Sequence, residues 1–351
     1  MSTSNSVVVQ PDTDEPKVDA SRPALRYRYP LATLILRRLV AGIATVLAAS
    51  ILIYLAILVL PGDVASVVLG RNATPDRVAE VHQQLGLDRP IWERFASFLG
   101  GFLSGDFGES TAGLVQGTHI DVAHVVLPAL GNSGILALIT MILFIPLTLG
   151  LGLLTGVKAY RPVDHVTSMA TLAISSLPEF LAASALIAVF FSWLGWLPPI
   201  SSIPEGATPF DHPAVIVLPI LTLLLLSLSF GSRLLRATVI DVMAQDYVTM
   251  ARLSGFSTRH VLTRYVLPNS LVPVIQIFAQ QIQYLIGGMI VIETVFNYPG
   301  IGTALVRAIA VRDTQETVVI ATILAALYIL INLIADVICI VLDPKTRTSV
   351  K

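Results

Sequence analysis

The chain alternates long apolar stretches with short polar ones. A transmembrane helix needs about 20 consecutive apolar residues, and five stretches of about that length contain no Asp, Glu, Lys or Arg: 39–62, 122–157, 213–232, 265–292 and 317–335. A sixth apolar stretch, 165–204, carries Glu179 directly after Pro178, which predicts a helix that is broken or kinked near its middle and followed by an outer loop. The pattern therefore predicts six membrane spans.

Composition agrees with a membrane protein. Of the 351 residues, 54% are hydrophobic and only 13% are charged, about half the share expected of a soluble domain. The mean hydropathy is +0.78. We therefore expect an all-α polytopic membrane protein. The net charge of −1 indicates no class of partner, and nothing in it points to nucleic acid.

The distribution of Lys and Arg predicts the orientation in the membrane. If the N-terminus is cytoplasmic, sixteen Lys and Arg residues lie on the inner side and six on the outer side. Basic residues accumulate in cytoplasmic segments, so both termini are expected in the cytoplasm, with membrane lipid around the spans.

Five parts follow from this topology. They are a disordered cytoplasmic tail over 1–30, the first membrane helix with its approach over 31–62, an extracytoplasmic helical segment over 63–121, a core with helices 2 to 6 over 122–343, and a cytoplasmic tail over 344–351. In the 63–121 segment, Thr74 is expected to cap a helix that begins at Pro75 and stops at Gly86. A second amphipathic helix places Phe95, Phe98 and Phe102 on one face.

One internal run, "DYVTMARLSGFSTRHVLTRYVLPNS" from Asp246 to Ser270, is rich in polar side chains. Asp246 favours a helix N-terminus, and Gly255 supplies the left-handed residue that commonly ends a helix. Ser257 is a suitable N-cap for a second short helix, and Pro268 opens the next span. The run is therefore predicted to form a helix, a sharp turn and a helix on the cytoplasmic face, suited to be held by a partner protein.

This run resembles the EAA loop of binding-protein-dependent ABC importer permeases, whose pattern is Glu-Ala-Ala, three residues, Gly, nine residues, Ile, any residue, Leu-Pro. The positions that correspond are Thr249, Met250, Ala251, Gly255, Tyr265, Leu267 and Pro268. Thr249, Met250 and Tyr265 depart from the pattern. The form "DYVTMARLSG" is similar to the "DYVRTARAKG" of the dipeptide, oligopeptide and nickel branch.

Further stretches resemble the same branch from about Leu36 to Arg347. They are "LPGD", "LGLDRPIWERFASFLGGFLSGDFG", "SSLPEF", "IETVFNYPGIG" and "NLIADVICIVLDPKTR". The resemblance implies the six-helix type I importer permease fold in a prokaryotic inner membrane. It also implies a second homologous permease subunit, two ATP-binding subunits and an extracytoplasmic substrate-binding protein as partners.

The resemblance further implies how the loop works. Asp246, Tyr247, Ala251 and Gly255 would form the contact and turn that an ATPase subunit moves. Arg252, Arg259 and Arg264 could pair with its acidic groups or lie near lipid headgroups. The chain has no G-x-x-x-x-G-K-[ST] phosphate loop, so ATP and Mg are expected in partner subunits and no cofactor or metal in this one. We expect a transport subunit and not an enzyme.

Polar residues within the apolar stretches are the candidates for the translocation pathway. Glu179, Gln280, Gln281 and Gln283 could bind the amine or amide groups of a peptide, or they could hydrogen-bond between helices. Asp336 and Asn332 share one helical face and are expected to make a polar contact between helices.

Several alternatives stay open at this point. The same type of importer could carry nickel or another small solute in place of di- or oligopeptides. An ATP-independent channel is the rival class, and conduction without ATP would distinguish it. An intramembrane protease would need a second catalytic Asp opposite Asp336, and an exporter would be expected to carry a fused ATPase.

Overall fold

The computed structural model describes residues 30–59, 66, 69, 73–84, 86, 88–204 and 207–342. The tail predicted over 1–30 lies outside these residues except for Pro30, which begins the first helix instead of ending the tail. The tail predicted over 344–351 lies wholly outside them.

The described residues are helical, and their only β-pairing is an isolated bridge between Glu109 and Asp121. Thirteen helices follow one another along the described chain: α1 (Pro30–Val59), α2 (Pro75–Gln84), α3 (Ile91–Ser104), α4 (Thr111–Val115), α5 (Val122–Val157), α6 (Pro162–Ser175), α7 (Glu179–Ile187), α8 (Pro213–Met243), α9 (Asp246–Leu253), α10 (Thr258–Val261), α11 (Leu267–Phe296), α12 (Ile301–Ala310) and α13 (Thr314–Leu342). Helix α7 continues as a π-helix over Ala188–Trp193, and α10 continues as one over Leu262–Val266.

Five of the described helices, α1, α5, α8, α11 and α13, are long and apolar enough to cross a membrane. Helices α6 and α7 qualify only as a pair, and they meet at an angle of 104°. The bend lies at Pro178, which has an extended backbone and cannot continue the helix of α6. The predicted break near Glu179 is therefore confirmed, and the pair completes the six predicted spans if it crosses the membrane once.

Helices α5 and α8 pack closely because small residues lie at their contact. A Cβ atom on Gly152 would lie 2.7 Å from the Leu235 side chain, and one on Gly156 would lie 2.6 Å from Val239. Close approach of two backbones in lipid requires such small residues, since packing and not water drives the association. The two helices therefore form the central pair of the bundle.

Helix α1 lies at the edge of the bundle against α13. Arg38 of α1 and Asp336 of α13 form an ion pair at 2.9 Å. The predicted polar contact of Asp336 between helices is therefore confirmed, and its partner is an arginine on the first span.

The 63–121 segment is tied to the start of α13. Asp313 accepts hydrogen bonds from the Ser110 hydroxyl and from the backbone N–H groups of Thr111, Ala112 and Glu316. One carboxylate thus caps the N-termini of α4 and α13 together. The aromatic face of α3 packs on α1, with the rings of Phe95 and Phe98 5.4 Å and 5.8 Å from that of Tyr54.

Candidate functional site

The 246–268 loop folds as a helix, a glycine turn and a second helix. Helix α9 ends at Leu253, and Gly255 follows with φ +83°, a left-handed conformation that glycine adopts without strain. The Ser257 side chain then accepts a hydrogen bond from the backbone N–H of His260 at 3.3 Å and caps α10. We call the side of the membrane on which this loop lies the loop side.

The inner face of the loop is part of a hydrophobic core. Val248 and Ala251 of α9 and Val261 of α10 are buried together with Leu235 and Val239 of α8 and with Val274 and Ile277 of α11. The side chain of Ala251 therefore packs within the chain, and the partner contact that the sequence analysis assigns to it stays a prediction. Its small size lets α9 lie close to the end of α8.

The outer face of the loop is exposed and largely apolar. Met250 and Leu253 are 65% and 79% exposed, and Tyr247 and Phe256 lie beside them on the surface. Asp246, Thr249, Arg252, Gly255 and Pro268 are exposed as well, whereas Leu267 is half-buried. Of the predicted loop residues, Ala251 is buried, Tyr265 and Leu267 are half-buried, and the others are open to a partner.

A second site is a cavity of about 590 Å³ within the membrane-spanning region. Its walls come from the α6–α7 break and from α8, α11 and α13. The lining residues are Ser175, Leu177, Leu226, Phe230, Gln280, Gln281, Gln283, Tyr284 and Tyr328. The three glutamines that the sequence singled out thus lie in one cavity.

Gln281 is the most enclosed of these glutamines. It is only 2% exposed, and its carbonyl Oε1 accepts no hydrogen bond from the residues that the structure describes. A buried amide oxygen without a donor costs free energy that a bound donor would recover.

Glu179 stands at the N-terminus of α7, at the edge of the cavity. Its carboxylate Oε1 accepts a hydrogen bond from the hydroxyl of Tyr284 at 2.9 Å, and Tyr284 lines the cavity. The structure therefore brings Glu179 to the glutamines through a tyrosine, although the carboxylate itself is not among the lining groups.

Sequence reasoning missed Arg233, which bonds a residue of the cavity wall without lining the cavity itself. Its guanidinium Nη1 donates to the hydroxyl of Ser175 at 3.0 Å. From the sequence, Arg233 is only one of the sixteen basic residues that are expected on the inner side of the membrane. No local pattern shows that it turns toward a helix break 58 residues earlier in the chain.

An ion pair joins α6 to α8 between the cavity and the loop. Asp164 accepts hydrogen bonds from Nε and Nη2 of Arg236 at 2.5 Å and 2.7 Å, and from the backbone N–H of Tyr160 at 2.8 Å. Asp164 is buried, and its partner lies one helical turn beyond Arg233. The ion pair was also missed, because its members are 72 residues apart.

On the side opposite the loop, Glu293 joins three helices. Its carboxylate accepts hydrogen bonds from the Ser133 hydroxyl of α5 at 2.5 Å and from the backbone N–H of Gly302 in α12 at 2.7 Å. Ser133 in turn accepts from the N–H of Ile301 at 2.8 Å. Glu293 belongs to the stretch "IETVFNYPGIG", which contributes to the resemblance to the permease branch. The sequence did not show that its carboxylate joins three helices.

In the part of the chain that the structure describes, no three His, Cys, Asp or Glu side chains lie close enough together to hold a metal ion. The polar groups in the cavity wall are the amides of the three glutamines and the hydroxyls of Ser175, Tyr284 and Tyr328. The charges next to them are those of Arg233 and Glu179.

Comparison with known proteins identifies the family. The family model "Binding-protein-dependent transport system inner membrane component" matches residues 148–348, and the model of the N-terminal part of these proteins matches residues 31–135. The probable peptide ABC transporter permease protein y4tP of Sinorhizobium fredii is 33% identical over 89% of this chain and 98% of its own length. The glutathione transport system permease proteins GsiC of Salmonella choleraesuis and Escherichia coli K12 are 33% and 32% identical over the same shares. The chain therefore belongs to the family of inner membrane permease components of binding-protein-dependent ABC transport systems.

Proposed function

We propose that this permease serves an ATP-driven importer of di- or oligopeptides and forms half of its translocation pathway. The names of the relatives support a peptide cargo, since one relative is a probable peptide permease and the others are glutathione permeases. The cavity supports it too, because three glutamine amides lie together there. Each amide both donates and accepts hydrogen bonds, as a peptide group does. A cavity of about 590 Å³ has the size of a small-molecule binding pocket.

The loop and the cavity share two helices, and this observation carries the proposal. Helix α8 contributes Leu226 and Phe230 to the cavity and Leu235 and Val239 to the core beneath α9. Helix α11 contributes the glutamines to the cavity and Ile277 to the same core. A displacement of α9 therefore reaches the cavity walls through packed side chains.

The complete importer in this proposal has a second homologous permease subunit, two ATP-binding subunits and an extracytoplasmic substrate-binding protein. ATP and Mg act in the ATP-binding subunits, since this chain has no phosphate loop. The loop side is cytoplasmic, as are both termini, which agrees with the excess of Lys and Arg in the segments on that side.

The mechanism couples ATP binding to movement of α9. The exposed apolar face of Tyr247, Met250, Leu253 and Phe256 seats in a groove of one ATPase, and the loop of the second permease subunit seats in the other ATPase. When ATP draws the two ATPases together, α9 moves and α8 and α11 tilt, so that the cavity opens outward and receives peptide from the binding protein. After hydrolysis the cavity opens inward and releases the peptide.

A substitution at the turn tests this proposal. Proline at position 255 cannot adopt φ +83° and removes the N–H that donates to the Arg252 carbonyl at 3.0 Å. Gly255→Pro should therefore abolish ATPase stimulation by the binding protein and peptide uptake in vesicles that contain the complete importer. Gly255→Asn is the matched control, because Asn tolerates the left-handed region, and it should retain most of the activity.

Different failures would lead to different conclusions. If both variants behave like the wild type, the loop is not the coupling element. If the wild type imports nickel or another small solute but no peptide, the proposal of an importer holds and the proposal of a peptide cargo is wrong. Conduction by the chain without ATP or partners would favour the channel instead.

A further inference from the structure

Two opposite charges flank the cavity, and each is joined to a hydroxyl group that lines it. Arg233 donates to the hydroxyl of Ser175 at 3.0 Å, and Glu179 accepts from the hydroxyl of Tyr284 at 2.9 Å. Both hydroxyls belong to the cavity wall. A positive group therefore bonds one residue of the cavity wall and a negative group bonds another, and both charges lie just outside the set of lining residues.

Neither charge has a counter-ion among the residues that the structure describes. The ion pairs found there join Arg38 to Asp336, His119 to Glu109, Arg236 to Asp164 and Arg307 to Glu316, and none includes Arg233 or Glu179. Unpaired charges at membrane depth are costly and usually face a solute pathway or a partner group. The contrast with Arg236, one turn away and fully paired, indicates that Arg233 is kept available for a ligand.

The chain keeps the two charges within a short reach of each other. Ser175, to which Arg233 donates, and Glu179 are four residues apart across the α6–α7 break, so their backbones are separated by at most about 14 Å. An extended peptide advances about 3.3 to 3.6 Å per residue, so a peptide held between these two positions can have at most about four residues. This upper limit is compatible with a short peptide.

The groups near these charges suit a peptide backbone. Gln280, Gln281 and Gln283 line the cavity, and the buried Oε1 of Gln281 has no donor among the residues that the structure describes. A peptide N–H would supply that donor once the cavity wall moves to uncover the oxygen, whatever the side chains of the peptide are. A cavity that recognises the peptide termini by charge and the peptide backbone through amides would accept peptides of many sequences.

We propose that the cavity binds short peptides as zwitterions, with Arg233 holding the terminal carboxylate and Glu179 the terminal ammonium group. The inference rests on the proposed import of peptides and adds which chemical groups of the peptide the permease itself reads. An arginine can hold a carboxylate through two parallel hydrogen bonds, and four N–H groups of Arg233 remain after the one that Ser175 accepts. Glu179 would keep its bond from Tyr284 and accept from the ammonium group with its second oxygen.

Uptake of capped peptides tests this assignment. The complete importer is reconstituted in vesicles, and ATP-driven uptake is measured for trialanine with free termini, with an amidated C-terminus and with an acetylated N-terminus. Each peptide is used at a concentration that saturates the binding protein. The wild type should take up the free peptide about tenfold faster than either capped form, the effect expected for one lost charge-assisted contact.

The variants should each remove one of these preferences. Arg233→Gln should slow uptake of the free and the acetylated peptide about tenfold and leave the amidated peptide nearly unchanged, whereas Arg233→Lys should keep most of the preference. Glu179→Gln should slow the free and the amidated peptide and spare the acetylated one. Arg307→Gln, which changes an arginine outside the cavity, should alter none of the ratios.

Equal uptake of the three peptides by the wild type would overturn the assignment, as would equal slowing of all three by Arg233→Gln and by Glu179→Gln. Both results would leave peptide import intact. An absence of ATP-driven uptake of any peptide by the wild type would instead overturn the import proposal, and this inference with it.

Discussion

Asp164 and Arg236 hold α6 against α8 through two parallel hydrogen bonds of 2.5 Å and 2.7 Å. Asp164 is 1% exposed, and it also accepts from the backbone N–H of Tyr160. Tyr160 itself has φ +64°, so the hydrogen bond fixes a tight turn between α5 and α6. Helices α5, α6 and α8 are therefore joined at the loop side.

The first prediction concerns this ion pair. Arg236→Ala would leave the buried carboxylate of Asp164 without its counter-ion, which costs roughly 3–5 kcal/mol of stability. Thermal unfolding of the detergent-purified protein should show a clearly lowered Tm, and vesicles should lose peptide uptake. Glu109→Ala breaks a pair with His119 in which both side chains are largely exposed, and it should cost less than about 1 kcal/mol.

A double variant tests whether Asp164 and Arg236 stabilise the protein as a pair or independently. Asp164→Ala combined with Arg236→Ala removes both charges, so its loss of stability should be smaller than the sum of the two single losses. Additive losses would contradict a direct energetic coupling between the two residues.

The second prediction concerns the junction around Glu293. A Cβ on Gly302 would lie 2.5 Å from the Cα of Ile290 and 2.9 Å from the Glu293 carboxylate, so Gly302→Ala must displace α12 from α11. Overpacking of this kind typically costs about 1–3 kcal/mol, and the Tm should fall accordingly.

Gly287→Ala is the matched control for Gly302→Ala. Gly287 lies in the same helix as Glu293, and a Cβ there would meet no atom within 4 Å. Alanine also has a higher helix propensity, by about 1 kcal/mol, so this variant should be as stable as the wild type or slightly more stable. A similar loss of stability in both variants would show that the Glu293 junction is not specifically packed.

The sequence predicted those features that depend on local pattern. The span 122–157 agrees with α5 residue for residue, because both of its ends are marked, by Asp121 and by the polar residues after Val157. The break near Glu179 was predicted because Pro178 comes directly before a charged residue in an otherwise apolar stretch, whereas Pro128 and Pro146 lie within the continuous helix α5. The turn at Gly255 and the cap at Ser257 were predicted for the same kind of reason.

The sequence did not show which charges meet. Arg233 and Arg236 lie one helical turn apart and look alike in the sequence, yet one pairs with Asp164 and the other bonds Ser175 at the cavity. The burial of Ala251 beneath an exposed loop was missed as well. These features depend on how the helices pack. That packing is determined by contacts between residues that are far apart in the sequence, so a local pattern does not show it.

The third prediction concerns the attachment of the 63–121 segment. Asp313→Ala removes the acceptor for the N–H groups of Thr111 and Ala112, and each buried donor left unpaired costs about 1–3 kcal/mol. Helix α4 has only five residues, and its N-cap Ser110, which accepts from the Gly113 N–H, itself donates to Asp313, so the same variant also weakens this cap. Hydrogen exchange at 111–115 should therefore become much faster.

The control for Asp313→Ala is an aspartate that also accepts hydrogen bonds but lies on the surface. Asp211 accepts from the N–H and the hydroxyl of Thr208 at 2.7 Å and 2.9 Å in an exposed turn. Asp211→Ala should change exchange only near residue 208. Unchanged exchange at 111–115 in Asp313→Ala would show that the carboxylate does not hold the segment.

The last prediction concerns the exposed face of α9. Leu253 is 79% exposed and contributes nothing to the core beneath the helix, so Leu253→Glu should leave the fold and the Tm unchanged. An ATPase groove that receives this face would have to bury the new carboxylate, and co-purification of the ATP-binding subunits should drop at least tenfold. Leu103→Glu is the matched control, because Leu103 is 77% exposed in the 63–121 segment, and it should leave co-purification unchanged. Equal recovery of the ATPase with both variants would place the ATPase contact elsewhere, whereas loss with Leu253→Glu alone would place it on α9.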